Sequence, residues 1–254
     1  MALLGTLVDN FRAATLDTAR WNQVNTPGNS GFQAGGRYTF IVQAGATGDA
    51  SLVSDVAYDL TGSHVHINLI EAGVQEAGLE MYPIILTQNP ANQDNSILIV
   101  VTTNLVGIYQ FVGGVPNGMA FPAYNPVTMY WWRVREAGGT LFVESAPAVQ
   151  GPWTVQASGA PLIAITSLFM KVRTFDFLAL TTAKQAAVTD VNYLQPPDVP
   201  FPDGGIPIGT EVAFGADING DQNAWVWTDL SDPEVMKQTI NVSRGRQDEA
   251  SEVD

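Results

Sequence analysis

The stretch YWWRVREAGGTLFVESAPAVQGPWTV, residues 130–155, has the pattern of an antiparallel β-hairpin. Side chains alternate on both sides of the AGG segment, and glycine pairs of this kind form the tight turns that join adjacent strands. Period-two alternation puts alternate residues of the first strand on opposite faces. One face has Tyr130, Trp132 and Val134, which favour a packed core, and the other has Trp131, Arg133 and Arg135.

The same pattern extends over most of the chain. Short apolar segments alternate with polar residues and are separated by Gly, Pro, Asn or Asp, whereas helical periodicity is scarce. Many strands without crossover helices predict an all-β sandwich or jelly roll. The predicted strands are RYTFIVQ (37–43), HVHINLI (64–70), LEMYPIIL (79–86), SILIVVTT (96–103), VGIYQFV (106–112), MYWWRVRE (129–136), TLFVES (140–145), SLFMKVRTF (167–175) and AAVTDVNYL (186–194).

Composition and charge limit the classes of function. Of the 254 residues, 46% are hydrophobic and 14% charged, which is typical of a folded domain. The net charge of −14 disfavours binding to a phosphate backbone, so we expect no nucleic-acid partner. The chain has no cysteine, which excludes disulfides and thiolate chemistry, and we expect no cofactor.

Neither a leader nor a membrane span is predicted. The N-terminal MALLGTLVDNF lacks a basic segment and reaches Asp9 after a short apolar run. The longest interior aliphatic run, ILIVV at 97–101, is far too short to cross a bilayer.

A change of composition predicts the domain organisation. The segment QPPDVPFPDGGIP, residues 195–207, is rich in proline and glycine, which resist both helix and central strand. Residues 203–254 have eleven acidic and three basic side chains. We therefore predict a large β domain at 1–195, a linker at 196–207, and a short β-rich segment with an acidic end at 208–254.

Several motifs in the first domain resemble concanavalin A-like lectin/glucanase domains. LVDNFRAATLDTARWN at 7–22 is similar to the family's opening, AAVTDVNYL to its closing strand, and SAPAVQGPWTV to the end of its strand pair, with AVQGP in place of an Asp-Gly turn. Their order along the chain carries the resemblance. It implies a jelly-roll sandwich over roughly residues 3–195.

The combination resembles the lectin-like domains in minor tail proteins of phages that infect actinobacteria. The segment EVAFGADINGDQNAWVWTDLSDPEVMKQTINVSRGRQDE is similar to the opening of a tail-tip β module in those proteins. The resemblance implies a structural protein of the phage tail tip, synthesised in the host cytoplasm, that contacts host-surface glycans. It also implies that residues 208–254 dock onto other tail-tip proteins and that the chain forms a homo-oligomer in the virion.

The same family includes hydrolases, whose signature E-x-D-x-x-E places catalytic carboxylates on one strand. This sequence lacks that signature, and its nearest acidic spacings, DVAYD at 55–59 and EAGVQEAGLE at 71–80, lack a strand context. We therefore predict that the chain is not an enzyme. A polysaccharide-degrading glycoside hydrolase and a purely structural jelly-roll spacer are the alternatives.

The candidate glycan-binding residues are Trp131, Arg133, Arg135, His64 and His66. An exposed indole can stack on the apolar face of a sugar, and guanidinium groups can hydrogen-bond its hydroxyl or acidic groups. A face with this composition is also typical of packing against a neighbouring subunit or the opposite sheet. Trp153, Trp225 and Trp227 are assigned to packing or to an interface.

No metal site is predicted. His64 and His66 share a strand face and would form half of a zinc site, but the sequence nominates no third ligand. Asp217, Asn219 and Asp221 have the spacing of a calcium loop, in which Gln222 replaces the required glycine and Thr228 the bidentate glutamate. An Asx-rich turn is the favoured interpretation.

Overall fold

The computed structural model describes residues 1–45, 47–73, 78–178, 180–193, 213–217 and 225–229. The chain divides into two compact units, Met1–Leu194 and Gln195–Asp254. In the second unit the described residues form one antiparallel pair of strands, β15 (Ala213–Asp217) and β16 (Trp225–Asp229). The rest of the predicted linker and docking segment lies outside the described residues.

The first unit consists of two seven-stranded sheets in which every pair of neighbours is antiparallel. In order across the first sheet, the strands are β1 (Trp21–Asn25), β4 (Gly48–Ser54), β13 (Phe169–Asp176), β6 (Leu79–Thr87), β7 (Ser96–Val101), β8 (Val106–Val112) and β9 (Val115–Ala120). Across the second sheet they are β12 (Thr154–Gly159), β11 (Thr140–Ala146), β10 (Trp131–Ala137), β5 (His64–Glu71), β14 (Lys184–Thr189), β3 (Arg37–Val42) and β2 (Ser30–Ala34).

These sheets confirm the predicted all-β sandwich. A short 3-10 turn, Leu4–Thr6, precedes the first strand, and the described residues include no α-helix. No helix in the described part of the chain is long and apolar enough to cross a membrane.

The hairpin of residues 130–155 forms as its sequence predicts. Strands β10 and β11 pair from Trp131 opposite Ala146 to Ala137 opposite Thr140. Gly138 and Gly139, with φ of 60° and 79°, make the two-residue turn between them, a conformation that favours glycine. The predicted turn is therefore confirmed.

One core fills the space between the two sheets. Alternate residues of every central strand point into it, including the fully buried Trp132 and Val134 of β10. Trp21 of β1 is also fully buried, and its indole N–H donates to the Asp9 carboxylate over 2.9 Å. The prediction that Tyr130 belongs to the core is wrong: Tyr130 precedes β10 and is 41% exposed.

Candidate functional site

The first sheet has a second apolar cluster on its outer face, opposite the core. Along β6 and β7, Met81, Ile84, Ile97 and Ile99 point into the core, so the intervening side chains point outward. We call this surface the aromatic face; it also includes the neighbouring outward residues of β4, β6, β9 and β13, and Phe121, which follows β9. Its cluster consists of Tyr82, Ile85, Leu98, Val100, Tyr109, Phe111 and Phe175.

Glycines let the aromatic rings lie across the strands of this face. A Cβ atom on Gly107 would lie 2.5 Å from the ring of Tyr109, and one on Gly118 would lie 2.6 Å from the ring of Phe121. The Tyr109 and Phe121 ring centroids are 5.3 Å apart in an edge-to-face arrangement. Because Phe121 is 52% exposed, this pair presents an apolar platform to solvent.

Arg173 of β13 also lies on the aromatic face. Its guanidinium carbon is 4.4 Å from the centroid of the Tyr82 ring and 4.7 Å from that of Phe175. Its Nε atom is buried without a hydrogen-bond partner. Within the described residues, no carboxylate lies in ion-pair distance of Arg173. The guanidinium is thus held by aromatic rings and not by an ion pair.

The two carboxylates of the aromatic face have other partners. The Tyr82 hydroxyl donates a hydrogen bond to Glu80, and burial, with the nearby Glu80 charge, raises the pKa of Tyr82. The Asp49 carboxylate is 3.4 Å from Lys171 Nζ. Burial lowers the pKa of Lys171 despite the opposing effect of Asp49.

Glu80 and Asp49 also flank one residue of β13. Phe175 pairs with Glu80 of β6 on one side and with Asp49 of β4 on the other. Adjacent strands lie about 4.8 Å apart, so the Cα atoms of the two acids are about 10 Å apart. The expectation that the acids of residues 71–80 lack a strand context is wrong for Glu71, which ends β5, and for Glu80, which lies in β6.

The five residues predicted from the sequence come together on the outer face of the second sheet. In the pairing of β10 with β5, Arg133 lies opposite His66 and Arg135 opposite His64. Trp131 is on the same face, and its ring centroid is 5.8 Å from that of His66. The sequence therefore grouped these side chains correctly, and their role in glycan binding stays a prediction.

Glu144 of β11, which the sequence analysis did not select, holds both arginines of this group. Its carboxylate is 2.7 Å from Arg133 Nε and 3.0 Å from Arg135 Nε. Burial alone would raise the pKa of Glu144, but hydrogen bonds and charges from the two arginines leave that pKa lowered. Arg133 also lies 4.1 Å from the centroid of Trp153, so its guanidinium is already well contacted.

Trp131 is not the exposed indole that the sequence analysis expected. It is 6% exposed and packs with Ala146, Val149 and Trp153. The Trp153 indole N–H donates to the carbonyl of Val149 over 3.2 Å, which fixes the segment after β11 over Trp131. Val149 and Trp153, which follow β11, cover the Trp131 ring. The alternation of side chains within β10 therefore could not predict that Trp131 is buried.

His64 and His66 stack with their ring centroids 5.6 Å apart and their planes within 6° of parallel. Burial, followed by the charge of His64, lowers the pKa of His66 to about 4, and burial also lowers the pKa of His64. Among the residues that the structure describes, no group of three potential metal-ligating side chains occurs. Of the calcium-loop candidates, Asp217 ends β15, and Asn219 and Asp221 lie outside the described residues.

The aromatic face was not predicted from the sequence, although its strands contain a signal for it. In SLFMKVRTF the intervening residues Lys171, Arg173 and Phe175 point outward, and in VGIYQFV the outward residues include Tyr109 and Phe111. Apolar residues at consecutive positions of a strand indicate that both of its faces are covered or in use. The consecutive apolar residues are visible in the sequence, but the sequence does not show which strands pair.

Comparison with known proteins identifies the fold. The sequence matches no protein-family model and no curated protein. A laminarinase from Flavobacterium sp. UMI-01 is similar in structure, with a TM-score of 0.53 and 9% identity over 72% of this chain and 96% of that chain. A GH16 protein of Bacteroides ovatus, solved with a G4G4G3G product, has a TM-score of 0.53 and 9% identity over 72% and 98% of the chains. The carbohydrate recognition domain of Emp47p has a TM-score of 0.51 and 13% identity over 72% and 91%.

These neighbours confirm the concanavalin A-like jelly-roll fold and correct one prediction. The expectation that the chain is not an enzyme is overturned, because glycoside hydrolases as well as a lectin-type domain share this fold with the chain. The missing E-x-D-x-x-E signature is therefore no ground for excluding hydrolysis.

Proposed function

We propose that the unit Met1–Leu194 binds carbohydrate across the aromatic face. The observation that carries this proposal is the solvent-facing Tyr109 and Phe121 platform, which lies on the same sheet face as the polar groups of Glu80, Asp49 and Arg173. Sugar rings have an apolar C–H surface that packs on aromatic rings, and their hydroxyl groups hydrogen-bond to charged side chains. The similar folds of a laminarinase and a carbohydrate recognition domain also support the proposal.

The two outer faces differ in how many of their polar groups are free to meet a ligand. On the second sheet Glu144 binds Arg133 and Arg135, and Trp131 is buried. On the first sheet the rings are accessible and Arg173 has no acidic partner among the described residues. The aromatic face is therefore the better candidate, and the second sheet provides a natural control.

The test is a binding assay on the full chain with immobilised glucans and cell-envelope polysaccharides. Phe121→Ala is expected to weaken binding on the order of ten-fold, since it removes an exposed stacking ring. The matched control is Phe32→Ala, which removes a 45% exposed ring on β2 of the second sheet. Equal effects of the two substitutions, or wild-type binding to none of the polysaccharides, would contradict the proposal.

Hydrolysis at the same face is the second candidate, and the positions of Glu80 and Asp49 favour it. Inverting glycosidases place an acid and a base about 6.5–9.5 Å apart on opposite sides of the bond they cleave. Glu80 and Asp49 flank Phe175 on a surface with stacking rings, and their Cα separation of about 10 Å lets the carboxyl groups approach that range.

The assay for this candidate is release of reducing sugar from the polysaccharides that bind. Glu80→Gln and Asp49→Asn are each expected to lower the rate about 100-fold or more while binding persists. Glu71→Gln, at the exposed end of β5, is the control. No release by the wild type, or unchanged release by both variants, would exclude this pair as the catalytic groups.

A phage tail tip is the proposed setting of this glycan binding. The order of motifs in the chain and the resemblance of residues 208–254 to a tail-tip module support it. In this proposal the jelly roll is displayed for contact with host glycans, and residues 208–254 dock onto other tail proteins as added strands. Deleting residues 208–254 should remove the protein from virions, and normal incorporation of the truncated chain would refute the docking role.

A further inference from the structure

We infer that the carbohydrate bound on the aromatic face is acidic, and that its carboxylate, sulfate or phosphate group accepts hydrogen bonds from Arg173. The inference rests on the proposed glycan binding and names the class of ligand. Its basis is the contrast between Arg173 and the other charged groups on the outer faces of the two sheets.

The charged neighbours of Arg173 are already engaged. Glu80 accepts the hydrogen bond of the Tyr82 hydroxyl, and Asp49 is paired with Lys171. The buried carboxylate of Asp176 accepts the backbone N–H groups of Leu178 and Leu180. Each acid close to Arg173 in sequence or register therefore has a partner, and the guanidinium charge has no acid within ion-pair distance in the described part of the chain.

The arginines of β10, by contrast, both have an acidic partner. Arg133 and Arg135 share Glu144 at 2.7 and 3.0 Å. Arg173 has instead the rings of Tyr82 and Phe175 and a buried Nε without a hydrogen-bond partner. A guanidinium held between rings is fixed in orientation, so it loses little side-chain freedom when it binds a ligand.

The charge of Arg173 favours the binding of acidic ligands over neutral ones. A neutral glycan that extends from the Tyr109 ring across β7 and β6 to Arg173 would remove water from this guanidinium without providing a counter-charge, which is unfavourable. An acidic glycan compensates the charge, and a planar carboxylate or a tetrahedral oxyanion can accept two N–H groups of one guanidinium. The removal of water that disfavours binding of a neutral ligand thus strengthens the ion pair between Arg173 and an acidic ligand.

The net charge of −14 opposes an anion at long range, so the inference concerns short-range contacts. At physiological ionic strength, charges beyond about 8 Å are largely screened, whereas a partly buried ion pair is screened much less. Binding should therefore be measured at that ionic strength.

The experiment compares each acidic polymer with its own neutral form. The full chain is titrated with a polyuronate and its carboxyl-reduced form, a sulfated glucan and its desulfated form, and a phosphomannan and its dephosphorylated form. We expect the wild type to bind at least one acidic polymer about ten-fold or more tightly than its neutral form. Arg173→Gln should remove this preference and leave affinity for the neutral form unchanged or higher.

Two further variants keep the result interpretable. Arg37→Gln removes an exposed arginine of β3 in the second sheet and should leave the preference intact. Arg173→Lys keeps the charge but not the planar fork, and should retain part of the preference. Thermal unfolding of each variant checks that it folds. If a variant does not fold, the comparison of acidic and neutral polymers with the wild type still tests the inference.

The outcomes distinguish the inference of an acidic ligand from the proposal that the aromatic face binds glycan. Equal wild-type binding of acidic and neutral forms, weakened by Phe121→Ala, would overturn the acidic ligand and leave glycan binding in place. Binding that is insensitive to Phe121→Ala, or absent for all polymers, would overturn both. A preference that survives Arg173→Gln would overturn the role of Arg173.

Discussion

Three arginines on central strands show how one residue type acquires different roles. Arg133 and Arg135 lie on the outer face of the second sheet within 3.0 Å of the same glutamate, whereas Arg173 lies between two aromatic rings on the first. The alternation of side chains predicted that Arg133 and Arg135 share a face. It could not predict Glu144 as their partner, because which residue lies opposite depends on strand pairing.

The buried His66 should make the stability of the fold depend on pH. Its pKa is lowered to about 4 from an ordinary value of 6.5, chiefly by burial. Between these values the unfolded chain binds a proton that the folded chain does not, so the free energy of unfolding is highest above pH 6.5 and falls as the pH decreases.

Chemical denaturation at pH 7 and pH 5 tests this dependence. The lowered pKa predicts a loss of about 2 kcal/mol in the wild type over this interval, and a clearly smaller loss in His66→Leu. Exposed His64 is the comparison, since His64→Gln should retain most of the wild-type dependence. A His66→Leu chain that is as sensitive to pH as the wild type would refute the assignment.

At the level of elements, the strands that the sequence predicted are those with alternating or continuous apolar runs. Strands β1, β2, β4, β9 and β12 were not predicted from the sequence. Strand β9, for example, contains Pro116 and Gly118, lies at a sheet edge and has no buried side chain. Backbone hydrogen bonds to β8 define such a strand, and its own residues give no alternating signal.

Strand β9 nevertheless supports the aromatic platform, which makes Gly118 a test of the proposed site. A Cβ atom on residue 118 would lie 2.6 Å from the Phe121 ring, and that exposed ring can move aside. Gly118→Ala should therefore leave the free energy of unfolding within about 1 kcal/mol of the wild type. Glycan binding should weaken on the order of ten-fold, because the stacking ring is displaced.

Gly159→Ala on β12 is the control, since its Cβ atom would lie 3.6 Å from the Met119 side chain, an ordinary contact. Binding affinity and unfolding are measured for both variants. If Gly118→Ala binds glycan as the wild type does, the Phe121 ring is not part of the binding surface.

At the level of the whole molecule, the composition predicted the sandwich, and the comparisons identify its fold as concanavalin A-like. The fold alone leaves open which outer face is used, because both sheets carry aromatic and charged side chains outside the core. The sequence favoured the second sheet, where three tryptophans and two arginines are close together along the chain. Burial of Trp131 and the ion pairs of Glu144 favour the first sheet instead.

The main core cluster lies entirely within the first unit, which leads to a prediction for a chain that lacks residues 196–254. Every residue of the main core cluster lies between Leu4 and Val191, and the closing strand β14 is central in the second sheet. A chain ending at residue 195 should therefore keep the free energy of unfolding of the first unit within about 1 kcal/mol of its value in the full chain. Chemical denaturation monitored by tryptophan fluorescence measures this quantity, and Trp21→Phe in both chains separates the core signal from that of Trp225 and Trp227. A loss of several kcal/mol on truncation would mean that residues 196–254 stabilise the sandwich, and their docking onto another protein would then have to compete with that contribution.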